Sequence, residues 1–124
     1  MESFVINGGN RLEGEIIPQG AKNEALQILC AVLLTPQKIT ITNLPNIVDV
    51  NKLIDLLKSM GVKVNQLNEF DYEFQADDIN LDYLISDDFK TKGSSLRGSI
   101  MIVGPMLARF GKGYIPAPGG DKIG

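Results

Sequence analysis

From Lys22 onward the apolar positions change spacing in a regular order. Ala25, Leu26, Leu29, Cys30 and Leu33 recur at helical intervals, and Thr35 with Pro36 supplies a stop, so a helix with one apolar face is expected from Lys22 to Leu34. Lys38 to Thr42, KITIT, is β-branched and alternating, which predicts a strand, and Asn43 to Asn46 with Pro45 reads as a connector. Val50, Leu53, Ile54, Leu56 and Leu57 return to helical spacing, and Gly61 is placed to cap a helix running from about Val48 to Met60. Two strands follow, Val62 to Gln66 and Tyr72 to Ala76, joined by a polar turn around Asn68 to Asp71. Ahead of the first helix, Ser3 to Asn7 and Leu12 to Ile17 are β-favouring runs on either side of Gly8, Gly9 and Asn10. They predict a hairpin, which Pro18, Gln19 and Gly20 end.

Leu12 to Ala76 thus spells β-α-β-α-β-β, an α+β pattern for which a mixed sheet packed by helices is expected. After an acidic stretch from Asp77 to Asp88, a third helix is expected from Ser94 or Ser95 to Arg109, then Gly111 and a strand Gly113 to Ile115. LLKSMGVKV and MLARFGKGYI each read as a helix end, a glycine and a strand, so a second copy of the unit begins there. One complete unit plus the start of a second is the expected architecture, and the incomplete copy marks the chain as a fragment.

Composition narrows the chemistry. A chain of 124 residues has room for one core. A net charge of -3 provides no basic excess for phosphate backbones, so no nucleic-acid partner is expected. The absence of His excludes Ser/His/Asp and Cys/His catalysis and His-bearing zinc sites. The single Cys cannot close an internal disulfide, which suits a reducing compartment. No apolar run approaches the ~20 residues that span a bilayer, and MESFVINGG lacks the features of a signal peptide, so the expected location is cytoplasmic, with no membrane partner. Cys30 sits among Leu26, Leu29 and Leu33 and reads as a small buried hydrophobe rather than a nucleophile. The aspartates from Asp77 to Asp88 lack the spacing of a calcium loop and read as solvated surface.

Two helix starts stand out. A helix N-terminus favours acidic neighbours, yet the first helix opens with Lys22 and Asn23, and the third carries Arg97 near its start. Free N–H groups, the helix dipole and a cation then converge, which suits a phosphate or a carboxylate; the alternative is that both cations are simply solvated. The tail Pro116 to Gly124, with Asp121 and Lys122 among its prolines and glycines, has the composition of a mobile loop presenting a charged group or of a frayed terminus.

Three motifs in order, GAKNEAL at Gly20 to Leu26, SLRGSI at Ser95 to Ile100 followed by GPMLARFG, and PGGDKIG at Pro118 to Gly124, resemble the enolpyruvyl transferase family in its UDP-N-acetylglucosamine 1-carboxyvinyltransferase branch. The shikimate-pathway branch is less similar, having Ser where this chain has Asn23. The resemblance implies two domains of three β-α-β-α-β-β units each, in an inside-out α/β barrel. Residues 1–21 would join the other domain as strands, and residues 22–124 would form the first, truncated part of the domain that binds UDP-sugar and phosphoenolpyruvate. The implied reaction, the first committed step of peptidoglycan synthesis, moves the enolpyruvyl group of phosphoenolpyruvate to the 3-hydroxyl of UDP-N-acetylglucosamine, with no metal or other cofactor. By similarity Lys22 holds phosphoenolpyruvate, Asn23 holds the UDP-sugar, and Arg97 adds positive charge where the two meet. Asp121 takes the place of the family's usual loop cysteine as the acid, replacing a thiol of pKa about 8.5 by a carboxyl of about 3.9, and implies fosfomycin resistance. The acid role then requires a closed site that raises the Asp121 pKa. The resemblance also implies that these 124 residues lack part of the site, so that the chain alone is inactive; a half-built second unit and an orphaned N-terminal hairpin leave sheet edges and helix faces without partners, so the chain is expected to self-associate or partly expose apolar surface. The competing reading is a non-catalytic anion-binding or oligomerising module on the same fold.

Overall fold

The computed structural model describes residues 1–117. Helix α1 spans Lys22–Ala31 and tightens into a 3-10 turn, Val32–Leu34, before Pro36. Strand β1, Lys38–Ile41, leads to helix α2, Val48–Met60, which Gly61 caps in the left-handed region at φ 107°. Strands β2, Lys63–Gln66, and β3, Tyr72–Gln75, form a hairpin whose turn is tied by Asn68, its Oδ1 accepting from the backbone N–H of Phe70 and Asp71. These elements fall where the apolar periodicity puts them.

The sheet is antiparallel throughout, in the order β1-β3-β2, rather than mixed. A mixed sheet would need β1 and β2 side by side. Instead β3 lies between them, its Phe74 opposite both Ile39 and Val64 and fully buried, while Glu73 sits between Thr40 and Asn65 on the outer face. The central strand is the one with the large aromatic to bury, and both of its edges are hydrogen-bonded. Leu29 and Leu33, Leu53, Leu57 and Met60, and Ile102 and Met106 complete one core over the inner face of the sheet.

Four further expectations need correction. Residues 1–20 form no hairpin and no strand: Phe4, Val5, Ile6, Leu12, Ile16 and Ile17 are each more than four-fifths exposed. Alternation supplies a strand's side chains but not its partner, and no strand of the sheet pairs with this segment. The single third helix is two elements, a 3-10 helix Arg97–Ile102 and helix α4, Val103–Phe110. Pro105 has no N–H to bond back one turn, so a regular α-helix starts only where Pro105 falls in its first turn. No strand forms at residues 113–115. Finally, the acidic stretch carries a 3-10 helix, Leu81–Ile85, and a short helix α3, Asp87–Ser94, whose cap Ser86 accepts from Phe89 N–H at 3.1 Å. With only Phe89 and Gly93 buried, α3 has too little apolar period to be read; Ser86 followed by Asp87 and Asp88 was its signal.

Candidate functional site

Helix α1 starts from an extended Ala21 whose side chain caps nothing, which leaves the first N–H groups of the helix open. Lys22 and Asn23 stand at that end. The buried flank of the same helix, Leu26 and Cys30, carries the 3-10 helix Arg97–Ile102. Gly98 makes the approach close, for a Cβ there would meet Leu26 Cδ1 at 3.2 Å, and Cys30 Sγ lies 4.0 Å from Gly98 O. Arg97, next to that contact, is thereby held across from the start of α1.

The result is a cleft of about 760 Å³ between α1, the start of α2 and residues 95–101, lined by Lys22, Asn23, Gln27, Asp49 and Arg97 among others. Three of the four residues singled out from the sequence thus share one cavity. The fourth, Asp121, lies outside the described residues, as does the whole PGGDKIG loop. Arg97 opens a 3-10 helix of six residues, not the expected long α-helix, so packing of that segment on Leu26 and Cys30, and not a helix dipole, brings its charge to the cleft.

Asp49 was not singled out from the sequence. It stands in the first turn of α2, and its Oδ2 lies 3.2 Å from Lys22 Nζ. Both side chains are about half exposed, so the pair is worth less than about 1 kcal/mol to the fold. Its only sequence signal is a first-turn acid, which any helix favours. The walls therefore offer two cations, one carboxylate and two neutral amides, a set that suits a multiply anionic ligand with polar hydroxyl or amide groups.

Cys30 is buried, and desolvation pushes its thiol up to about 12, which leaves no reactive thiolate near neutral pH. Among the described residues no three acidic or Cys side chains gather as a metal site, and no helix is long and apolar enough to cross a membrane.

The UDP-N-acetylglucosamine 1-carboxyvinyltransferase of Bacteroides fragilis is 60% identical over 124 residues, which is 100% of this chain and 29% of that protein. The enzyme of the same name from Bacteroides thetaiotaomicron is also 60% identical, and that from Porphyromonas gingivalis 57%, each over 100% of this chain and 29% of the relative. The chain therefore spans under a third of the length of these relatives. The sequence model of EPSP synthase (3-phosphoshikimate 1-carboxyvinyltransferase) matches residues 6–124. With its motifs in order and nearly its whole length matched, this chain belongs to the EPSP synthase family of enolpyruvyl transferases.

Proposed function

We propose that this chain is part of a cytoplasmic enzyme that transfers the enolpyruvyl group of phosphoenolpyruvate to the 3-hydroxyl of UDP-N-acetylglucosamine, the first committed step of peptidoglycan synthesis and hence of cell-wall growth, shape and division. One observation carries the reading: Lys22 and Asn23 meet Arg97 across a single cleft in a chain 60% identical to an enzyme named for that reaction. A phosphate and a carboxylate on one small substrate suit two fixed cations, and the neutral amide of Asn23 suits a sugar.

In the reaction a proton is delivered to C3 of phosphoenolpyruvate while the sugar 3-hydroxyl gives up its proton to a base and its oxygen bonds to C2, giving a tetrahedral adduct. Loss of a proton from C3 and departure of phosphate then restore the double bond and leave the enolpyruvyl ether. Lys22 and Arg97 stabilise the negative charge gathering on the departing phosphate. Asp121 delivers the C3 proton, in a closed site that raises its pKa. No metal or other cofactor is needed for these steps.

Residues 1–21 act as strands of the other domain of an inside-out barrel, and residues 22–124 belong to the substrate-binding domain. The exposure of Phe4, Ile6, Leu12 and Ile16 supports this, since a segment with that many apolar side chains in water is built to be covered. That exposed apolar surface should make the 124-residue chain by itself self-associate, and it should lack transferase activity because much of the site's charge would come from sequence outside these residues.

The test is made in the full-length protein bearing this sequence. It should release phosphate from phosphoenolpyruvate only when UDP-N-acetylglucosamine is present. Lys22→Ala should lower kcat/KM on the order of a hundred- to a thousandfold, with poor rescue by Lys22→Arg. Fosfomycin should not label the Asp121 form, whereas Asp121→Cys should be covalently inactivated. Near-normal kinetics for Lys22→Ala, or an active Asp121→Cys enzyme that fosfomycin leaves untouched, would overturn the assignment.

A further inference from the structure

The cleft that gathers two cations also holds a carboxylate, and on binding strength alone an Asp is the wrong residue there, because it repels the anion that the cations attract. What Asp49 supplies is direction. Lys22 is the first residue of α1, with its ammonium on a flexible four-carbon stem and its side chain half exposed. Among the described residues, the Asp49 carboxylate, 27 positions along the chain and on another helix, is the one group that accepts a hydrogen bond from Lys22 Nζ.

We propose that Asp49 is a positioning residue for Lys22: it holds the ammonium over the cleft before substrate arrives, giving up ground-state anion affinity for a cation already aimed at the reacting group. This rests on the enolpyruvyl transfer reading above. Asp49 comes from the first turn of α2 and Lys22 from the first turn of α1, so the pair bridges two walls of the cleft. The competing account makes Asp49 only a first-turn acid that complements the α2 dipole. That account predicts a loss of stability with kcat and KM moving little, or worsening together.

The two accounts separate in the full-length protein with Asp49→Asn, Asp49→Glu and, as a control, Asp87→Asn, which removes a first-turn acid of α3 that does not line the cleft. Steady-state kcat and KM for phosphoenolpyruvate are measured, together with the Kd of inorganic phosphate by calorimetry. Asp49→Asn should lower kcat at least about tenfold, the scale of a misplaced catalytic group, while KM and the phosphate Kd stay level or fall. Asp49→Glu should restore most of kcat, and Asp87→Asn should leave it unchanged. Unaltered kcat in Asp49→Asn, a rise in KM alone, or a Glu variant no better than the Asn variant would each sink the proposal. If Asp49→Asn does not fold, Asp49→Gln against Asp49→Glu makes the same comparison of charge at equal reach. A wild-type protein with no substrate-dependent phosphate release would sink the transferase reading itself, whereas an active wild type with an indifferent Asp49 sinks only this inference.

Discussion

Leu57 and Leu107 hold the same place in two matching stretches, LLKSMGVKV and MLARFGKGYI, and meet different fates. Each precedes a left-handed glycine by four residues, and each leucine carbonyl accepts a backbone N–H from the cap at 3.0 Å, that of Leu57 from Val62 and that of Leu107 from Gly111, while Gly61 N–H bonds to the Lys58 carbonyl. Beyond that the copies part. Leu57 is fully buried and the chain after Gly61 becomes β2, paired along β3; Leu107 is half exposed and residues 112–117 form no strand. The cap needs only the glycine and the last helical turn, so it appears twice. A strand needs a neighbour, and only the first copy has one in the sheet.

Truncating the two leucines should break the symmetry most sharply. In the 124-residue chain, Leu57→Ala should cost about 2–5 kcal/mol in urea unfolding and Leu107→Ala under about 1 kcal/mol, because only the first opens a cavity. Equal costs would mean that the second copy is packed as tightly as the first. The glycines provide a finer contrast. At Gly61 (φ 107°) an added Cβ would run into the Asp78 carbonyl, whereas at Gly111 (φ 67°) it meets nothing within 4 Å. Gly111→Ala should therefore cost only the left-handed penalty of about 1 kcal/mol, and Gly61→Ala distinctly more, on the order of 3 kcal/mol. Matching midpoint shifts for the two variants would contradict this reading.

Acid should produce the smallest effect and should again distinguish the copies. The hydrogen bond from Asn68, then that from the Asn43 backbone, holds the Asp71 carboxyl below its ordinary value; the bond to Lys63 does the same for Asp77. Carboxyls depressed in the folded state lend stability that is present above their unfolded pKa and is lost as pH falls through the folded one. The window thus opens near pH ~3.9 and extends downward. Both groups serve the β2–β3 hairpin, while MLARFGKGYI contains no carboxylate at all. Amide exchange compared between pH 5 and pH 3, after correction for intrinsic rates, should show the hairpin losing protection and α4 keeping it. A uniform loss would assign the acid response elsewhere.

The same division between local and distant causes runs through the candidate site. Lys22 and Asn23 were legible because they open a helix whose apolar face is plain, and Arg97 because its motif is ordered with theirs. Their meeting was implied by the resemblance but by no local pattern, since it depends on Gly98 lying against Leu26 and on Pro105 breaking the expected helix so that residues 97–102 turn separately. Asp49 was invisible for a different reason: a first-turn acid looks alike whether or not a lysine from another helix reaches it.

The sequence by itself determined the helix spans of α1 and α2, the glycine that ends α2, the positions of the three strands and the family to which its motifs point. Each of those depends on side-chain periodicity or backbone preference within a turn or two. Only the tertiary structure decided that β3 lies between β1 and β2, that the alternating residues 1–20 stay unpaired, and that Asp49 joins Lys22, Asn23 and Arg97 in one cleft. Those outcomes turn on which buried surfaces meet, and Phe74 and Leu26 choose their neighbours by packing across dozens of residues, a choice that no local pattern encodes.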